Sequence, residues 1–306
     1  MFYVIMKYDK INGKVAFLEG PHKYFNIEDD SIVYTSVTTL IGKYEPEFNK
    51  EFVSKYKALE RLMSPNDWKK EKGGIWKSKR ISEDFLEIYG ISKSELNKVQ
   101  QDILDEWAEI NKQSCERGTK IHAQLENSFY NTGSNITLKK FGIGGKFECK
   151  KNYNELDLEY GIYPEYLIYY DNPKLDLHIA GQIDLLVKNN NDIHIIDHKS
   201  NKKIDLKGFY NSSSRSTEKL KYPLTDLDNC NFNVYQLQLS TYAWMIQKIN
   251  PNFTIKSLTL NHYDHDGNNT LYPCSYLKDD VEKMLKHYAK QQKLEKQKAK
   301  YARIEY

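Results

Sequence analysis

Two short apolar segments, separated by a polar turn, constrain the fold of this chain more than any other feature. Residues 181–187 and 194–199 are rich in Ile, Leu and Val, and an Asn-Asn-Asn-Asp sequence at 189–192 separates them. β-Branched residues favour strands, whereas Asn and Asp favour tight turns. The two segments are therefore predicted to pair as a β-hairpin.

Three charged residues interrupt these apolar segments, namely Asp184, Asp197 and Lys199. Alternate side chains along a strand share a face, so Asp197 and Lys199 should point the same way and His198 the opposite way. In a paired hairpin, Asp184 would lie close to the Asp197/Lys199 face. Buried charges are costly unless they are paired or bound to a metal, so the cluster indicates a functional site. The alternative interpretation is a solvent-facing hairpin with an ordinary salt bridge.

Two aspartates and a lysine are suited to metal-assisted hydrolysis. Aspartate oxygens are hard ligands for Mg²⁺ or Mn²⁺, and these ions also bind substrate phosphate. Such an ion polarises a phosphoryl oxygen and lowers the pKa of a bound water. A lysine beside the ion can orient the attacking water and offset the charge of the transition state.

Four further fragments flank the hairpin in a definite order. They are an apolar, threonine-rich stretch at 34–41, Arg-Gly-x-x-x-His-x-x-x-Glu at 117–126, an apolar segment with a glutamate at 163–168, and Gln-x-x-x-Tyr at 238–242. Together with the hairpin they resemble the PD-(D/E)XK nuclease superfamily, and specifically its RecB-type or phage exonuclease-like branch. The resemblance covers about residues 105–265.

This resemblance implies a restriction-endonuclease-like α/β fold, a mixed β-sheet flanked by helices in the order α-β-β-β-α-β. It also implies a site for one or two Mg²⁺ or Mn²⁺ ions. The implied ligands are Asp184, Asp197, His122 and the backbone carbonyl of His198.

The remaining roles also follow from the resemblance. Lys199 would orient water and stabilise developing charge, and Glu165 would bind a second ion or support the ligands of the first. Gln238 and Tyr242 would brace the lysine or contact DNA. Each residue has an ordinary alternative, because a histidine beside an apolar helix stripe is more often structural and a Gln/Tyr pair can simply flank a buried helix face.

Overall charge does not point to nucleic acid, since the net charge is only +3. Its distribution is uneven, because residues 199–221 contain seven lysines and arginines against two acidic residues. A basic loop at this position could bind phosphates, so Lys202 and Lys203 are predicted DNA contacts, together with Arg117 from the histidine fragment. A solvated connector is an equally good interpretation of the loop.

Cysteines and hydropathy bear on cofactor and compartment. The four cysteines are widely spaced and include no Cys-x-x-Cys pair, so no iron–sulfur cluster is expected. Reduced thiols and the lack of a long apolar run predict no membrane contact and a cytoplasmic location, in the host cytoplasm if the chain is phage-encoded.

Four regions are expected along the chain: a β/turn segment at 1–44, a helical insertion or cap at 45–100, the nuclease core at 101–270 and a basic helix at 271–306. Strands are predicted at 15–18, 31–34, 158–170, 177–188, 192–199 and 253–263, and irregular structure at 135–155. Helices are predicted after Ser36, at 101–130 and 232–249, and from 277. Apolar stripes in the insertion include Phe52, Leu59, Ile88 and Tyr89.

The sequence thus predicts a Mg²⁺- or Mn²⁺-dependent deoxyribonuclease, with exonuclease action favoured by the end-processing members of the branch. DNA is the expected partner, and a replication or recombination protein docked on the insertion is a further expected partner. The alternative is a non-catalytic nucleic-acid-binding or assembly module on the same fold.

Overall fold

The computed structural model describes residues 8–132, 135–151, 158–211 and 215–302. It divides into two compact units, which we call the sheet unit (residues 1–46 and 120–306) and the helical unit (residues 47–119). None of the described helices combines the length and the apolar character that crossing a membrane requires.

The sheet unit begins with four short antiparallel strands, β1 (Lys10–Asn12), β2 (Val15–Leu18), β3 (Lys23–Asn26) and β4 (Val33–Ser36). Helix α1 (Val37–Gly42) follows, and the Ser36 hydroxyl accepts a hydrogen bond from the Thr39 amide at its first turn. The strand at 15–18 and the serine-capped helix are confirmed. The strand predicted at 31–34 begins two residues later, at Val33.

The helical unit contains α2 (Lys50–Leu62), α3 (Pro65–Ser78) and α4 (Glu83–Ile88). Asn49, Ser64 and Ser82 each accept a hydrogen bond from an amide in the first turn of the helix that follows. The apolar faces meet around Leu59 and Trp68, which are buried. Helix α5 (Lys93–Thr132) begins in this unit and continues into the sheet unit, so it starts eight residues before the predicted position.

Two apolar stripes were predicted in the helical unit, one with Phe52 and Leu59 and one with Ile88 and Tyr89, and the second is wrong in part. Phe52 and Leu59 are buried as predicted, but Ile88 is 75% exposed. Helix α4 is only six residues long, and Leu86 is its buried residue. Because Ile88 ends this short helix, it does not continue the buried face.

A hairpin occupies most of the region that was predicted to be irregular. Strands β5 (Ile136–Leu138) and β6 (Ile143–Phe147) pair through a 3₁₀ turn, Lys139–Phe141. Gly142 ends that turn with φ +71°, a conformation that glycine adopts without strain. The glycine-rich sequence therefore marks a tight turn, and the prediction of irregular structure across 135–155 is wrong there. Residues 152–157 lie outside the described residues.

Three long antiparallel strands follow, β7 (Gly161–Asn172), β8 (Leu177–Asn189) and β9 (Asp192–Lys199), which confirms the three predicted strands. Strands β8 and β9 form the predicted hairpin. Asn190 in its turn has φ +53°, which asparagine tolerates better than most residues.

After the short ladder β10 (Tyr210–Asn211) and β11 (Ser216–Thr217), the chain forms α6 (Asn231–Ile249) and β12 (Thr254–Tyr263), both as predicted. Strand β12 pairs in parallel with β9, so α6 is the crossover helix that such a connection needs. Strand β13 (Asn269–Cys274) and helix α7 (Lys278–Ala302) complete the unit. The helix from 277 was predicted, whereas β13 was not.

The result is a mixed α/β arrangement around one nine-stranded sheet, in the order β1-β2-β3-β4-β8-β9-β12-β13 with β7 paired to β8. Because β7 covers one edge of β8, strands β4 and β9 share the other edge at opposite ends. Helices α1, α6 and α7 contribute to one buried core of the sheet. Side chains of the β5/β6 hairpin, including Phe147, pack with Leu185 and Ile196 in another.

A polar cluster ties the N-terminal strands to β7. The Asp171 carboxylate pairs with Lys14, accepts a hydrogen bond from the Tyr34 hydroxyl at 2.8 Å, and lies 2.7 Å from His178 Nδ1. Burial raises the pKa of Asp171, but the hydrogen bonds from Lys14, His178 and Tyr34 outweigh burial and leave the pKa below its ordinary value.

We expect Asp171→Asn to lower the free energy of unfolding by about 1.5–3 kcal/mol at pH 7, because it removes hydrogen bonds to a charged group. Since the folded-state pKa is depressed, this stabilisation is present above the unfolded-state pKa of about 3.9 and is lost as the pH falls through the folded-state value. Urea unfolding followed by circular dichroism at pH 7 and pH 3 would measure it. The control is the exposed Asp30→Asn, and equal stabilities of the Asp171 variant and wild type at pH 7 would contradict the prediction.

Candidate metal centre

Five side chains of the sheet unit gather where β8 and β9 separate. They come from α5 (His122), β7 (Glu165), β8 (Asp184) and β9 (Asp197 and Lys199). All five have side chains no more than one third exposed. Residues that are up to 77 positions apart in the chain are therefore neighbours in the fold.

Asp184 lies at the point of separation. The ladder between β8 and β9 ends at the Leu185–Ile196 pair, so continuing the register would place Asp184 opposite Asp197. Instead, Asp184 Oδ2 accepts the His198 backbone N–H at 2.6 Å. This carboxylate replaces the missing strand partner of a buried amide.

His122 approaches the carboxylates with its Nδ1 atom. Its Nε2 lies 3.1 Å from the His198 carbonyl oxygen, which can only accept a hydrogen bond, so Nε2 carries a proton. Nδ1 lies 3.6 Å from both Glu165 Oε1 and Asp184 Oδ1. In the neutral ring the lone pair is therefore on Nδ1 and faces the two acidic groups.

Glu165 holds an unusual backbone conformation. Its φ is +49°, in the left-handed region that a glutamate in a strand rarely adopts. The register places Glu165 opposite Asp184. In a regular strand, side chains three residues apart point to opposite faces, but Ile183 and Leu186 pack in the same core. The alternation of faces along β8 therefore reverses between these two residues. Such strained positions are frequent at functional sites.

Asp197 and Lys199 form the neighbouring part of the site. Lys199 Nζ lies 2.6 Å from Asp197 Oδ2, as expected for side chains two residues apart on one strand face. The Gln238 amide donates to Asp197 Oδ1 at 3.2 Å and accepts from Lys199 at 3.4 Å. Gln238 also donates to the Tyr242 hydroxyl at 3.3 Å, so α6 braces this ion pair.

The electrostatics of the site are dominated by buried acidic groups. Burial raises the pKa of Asp184, with Glu165 adding to the rise and His122 opposing it. Burial also raises the pKa of Asp197 to about 6, against the opposing effect of Lys199. Burial lowers the pKa of His122, but the carboxylates of Asp184 and Glu165 outweigh burial and raise it to about 9. The cluster therefore favours an added positive charge.

A divalent cation fits this donor set. His122, Glu165 and Asp184 each offer one ligand atom, and these atoms lie within 4.8 Å of one another. Two carboxylate oxygens with one imidazole nitrogen suit a hard or borderline ion, and the His122 Nε2–H···O=C bond fixes the ring as second-sphere contacts do at metal sites. A bound ion would take the place of the proton on His122.

The other predicted ligands and contacts have different surroundings. The two oxygens of Asp197 are directed at Lys199 and Gln238. The His198 carbonyl accepts from His122, which leaves one lone pair. Burial, together with the charge of His122, lowers the pKa of the His198 ring to about 3, so that ring is neutral.

Lys202, Lys203 and Arg117 were also predicted as DNA contacts. Lys203 pairs with Asp205 at 2.6 Å, and Lys202 is exposed. Within the described ranges, neither lysine forms an ion pair with a carboxylate of the site. Arg117 is half-buried on the part of α5 that belongs to the helical unit.

Three residues of the site were not identified from the sequence. Lys10 Nζ, on β1, lies 3.7 Å from both Glu165 Oε2 and Glu126 Oε1. The Tyr235 ring centroid lies 4.6 Å from Lys199 Nζ. Gly181 lies against Tyr242, since a Cβ atom built on Gly181 would be 2.6 Å from Tyr242 Cε1. A glycine inside an apolar strand is a signal of close approach, whereas nothing in the sequence marks Lys10 or Tyr235.

Comparison with known proteins finds matches among solved structures alone. No protein-family model matches the chain, and no curated protein matches it. Among solved structures, the protein SSO0001 is similar over 40% of this chain and 46% of its own, at 12% identity and a TM-score of 0.23. A protein from Eubacterium rectale named "Putative exonuclease" is similar over 80% of this chain and 67% of its own, at 12% identity and a TM-score of 0.28. This chain thus spans about half of the first structure and two thirds of the second.

We expect Gly181→Ala to destabilise the fold by about 1–3 kcal/mol, because the new methyl group overlaps the Tyr242 ring in a packed core. Gly144→Ala is the control, since nothing lies within 4 Å of a Cβ at that position. Thermal unfolding of both variants would measure the difference. A smaller effect of Gly181→Ala in a Tyr242→Leu background would identify the overlap as the cause, and equal stability of the two alanine variants would contradict it.

We also expect a Mn²⁺ ion to bind the wild-type protein, and Asp184→Asn, Glu165→Gln and His122→Ala each to weaken that binding by roughly tenfold or more. Isothermal titration calorimetry without substrate would measure the affinity. Glu159→Gln removes a carboxylate that is 72% exposed and pairs with Lys150, so it should bind Mn²⁺ as wild type does. Equal Mn²⁺ affinity of all four variants would show that the ion does not bind at the assigned site.

Proposed function

We propose that this chain is a Mg²⁺- or Mn²⁺-dependent deoxyribonuclease that hydrolyses phosphodiester bonds. The observation that carries the proposal is the position of His122 Nδ1, Glu165 and Asp184 beside the buried Asp197–Lys199 pair. Carboxylates and a lysine in this arrangement suit phosphoryl chemistry, and the sequence resemblance to PD-(D/E)XK nucleases names the same residues. We therefore propose a restriction-endonuclease-like core at 101–270, with 1–44, 45–100 and 271–306 as additions to it.

In this proposal His122, Glu165 and Asp184 hold the ion, and Asp197 and the His198 carbonyl are the further proposed ligands. A bound Mg²⁺ or Mn²⁺ would supply Lewis-acid polarisation of the phosphate and a water of lowered pKa. Asp184 also holds the His198 amide, so it fixes the position of that carbonyl relative to the site.

Lys199 is the proposed group that meets the substrate. Burial lowers the pKa of Lys199, but Asp197 and Asp184 outweigh burial and keep the pKa above its ordinary value, so the amine is charged. A charged ammonium can orient the water oxygen that attacks phosphorus and stabilise the negative charge that develops as the bond to the leaving sugar oxygen breaks. Gln238 donates to Asp197 and accepts from Lys199, and it also donates to the Tyr242 hydroxyl, so these two residues of α6 position the lysine.

We prefer an exonuclease to an endonuclease, because the sequence resemblance is to end-processing members of the branch. DNA is the proposed substrate, and a replication or recombination protein is a further proposed partner. A non-catalytic binding module is the second candidate, and the experiment below separates the two.

We expect the purified protein to degrade linear DNA in the presence of Mn²⁺ and to leave closed circular DNA intact. Lys199→Ala and Asp184→Asn should each reduce the rate by about 10²-fold or more, because they remove charge stabilisation or a metal ligand. Gel electrophoresis of DNA at timed intervals would measure the rates. The matched control is Lys256→Ala, a lysine that is 61% exposed and lies 3.9 Å from Asp192.

The nuclease proposal fails if no Mn²⁺-dependent degradation occurs, or if Lys199→Ala degrades DNA as fast as the Lys256 control. DNA binding without degradation would favour the non-catalytic module. Degradation of circular DNA at the same rate would exclude the exonuclease preference and keep the hydrolase.

A further inference from the structure

A cleft of about 710 Å³ in the sheet unit adjoins the lysine of the candidate site. Glu45, Lys203, Lys207, Phe209 and Tyr235 are among its lining residues. Tyr235 belongs to both places, because its ring lines the cleft and its centroid lies 4.6 Å from Lys199 Nζ. A molecule in the cleft would therefore lie next to the group that we propose to meet the scissile phosphate.

The surface around this cleft exposes several apolar side chains. Phe209 lines the cleft and is 66% exposed, and Leu206 and Tyr210, which adjoin lining residues in the chain, are each 58% exposed. Large apolar side chains grouped on a surface usually mark a binding site. Two of these three are aromatic, so they present flat faces on which a planar ligand group could stack.

The same segment is strongly cationic. Residues 199–222 contain seven lysines and arginines and two acidic residues. Lys203 and Lys219 pair with Asp205 and Asp228, but Lys202 and Lys207 form no ion pair with any described residue. Exposed aromatic rings beside lysines that have no ion-pair partner suit a ligand with several negative charges and with aromatic groups that are free to stack.

We propose that this cleft and its rim bind a single DNA strand, with an unpaired base stacked on Phe209 and the neighbouring phosphate beside Lys207. The proposal deepens the nuclease proposal, on which it depends for the choice of DNA, by naming the strand state of the substrate. In a duplex the bases are stacked on one another, so their faces are not accessible to the exposed rings of this surface. The cleft volume of about 710 Å³ lies within the roughly 300–1,000 Å³ of ordinary ligand pockets, which accommodates a nucleotide.

The proposed path explains the position of Tyr235. A strand that occupies the cleft passes the Tyr235 ring. This ring contacts Lys199, which lies at the edge of the candidate metal centre. The next phosphate of the strand would then approach the Asp197–Lys199 pair. Unpaired ends or single strands are thus the substrates that this surface selects.

Binding can be measured without cleavage by fluorescence anisotropy in EDTA. The probes are a labelled oligothymidylate of about twelve nucleotides, which covers one site of the usual size, and a duplex of the same length. We expect the single strand to bind at least tenfold more tightly than the duplex. Phe209→Ala should weaken single-strand binding by roughly 5- to 150-fold, because it removes one stacked base.

One further variant tests the cationic part of the surface, and another is a control for the aromatic part. Lys207→Ala should make the negative slope of log affinity against log salt shallower by about 0.7, the value for one phosphate contact on a single strand. Tyr301→Ala is the matched control, since this tyrosine of α7 is 69% exposed and also lies among lysines in the sequence, and its binding should equal wild type. Circular dichroism melting of each variant shows whether the fold is intact.

Equal affinities for single strand and duplex, or an unchanged affinity of folded Phe209→Ala, would overturn this proposal. Tighter binding of an oligouridylate than of the DNA strand would overturn the choice of DNA. Because EDTA removes metal, the result is independent of hydrolysis. Selective single-strand binding without Mn²⁺-dependent cleavage supports the cleft and ends the nuclease proposal, whereas cleavage without strand preference ends the proposed role of the cleft alone.

Discussion

The arrangement of the candidate site depends on the hydrogen bond between the Asp184 carboxylate and the His198 amide. Strands β8 and β9 could not separate at a buried position without leaving polar backbone groups unpaired. Asp184 Oδ2 accepts that N–H at 2.6 Å, so the ladder can end at Leu185 and Ile196. The same residue then presents its other oxygen to His122, which links the geometry of the sheet directly to the acidic cluster.

Charge balance explains why the cluster takes this form. Glu165, Asp184 and Asp197 bring three acidic groups into a poorly solvated region, where the charge of Glu165 raises the pKa of Asp184 and the charge of Asp184 raises the pKa of Asp197. Lys199 and a protonated His122 offset part of that charge. Lys10 lies on the outer side of Glu165, which gives this carboxylate a cationic neighbour at each oxygen. The three acidic groups are thus held close together by cationic side chains, which a divalent ion could replace.

Much of the fold was predictable from the sequence, because the signals were local and strong. Apolar runs with clear breaks predicted β7, β8, β9, α6 and β12, and alternation placed Asp197 and Lys199 on one face. Alternation could not predict the reversal at Glu165 and Asp184, since it assumes a regular pleat and Glu165 has φ +49°. Lys10 and Tyr235 were missed because their contacts arise from tertiary packing, and the glycines at 142–145 suggested irregular chain where a turn joins β5 to β6.

The close contact between Gly181 and Tyr242 has an evolutionary consequence. The two positions share one small volume, so neither can vary freely: a bulkier residue at 181 requires a smaller one at 242. In homologous chains we expect compensating substitutions at this pair, with glycine retained wherever the tyrosine ring is present. Such covariation would be a genetic signature of how closely α6 packs on β8.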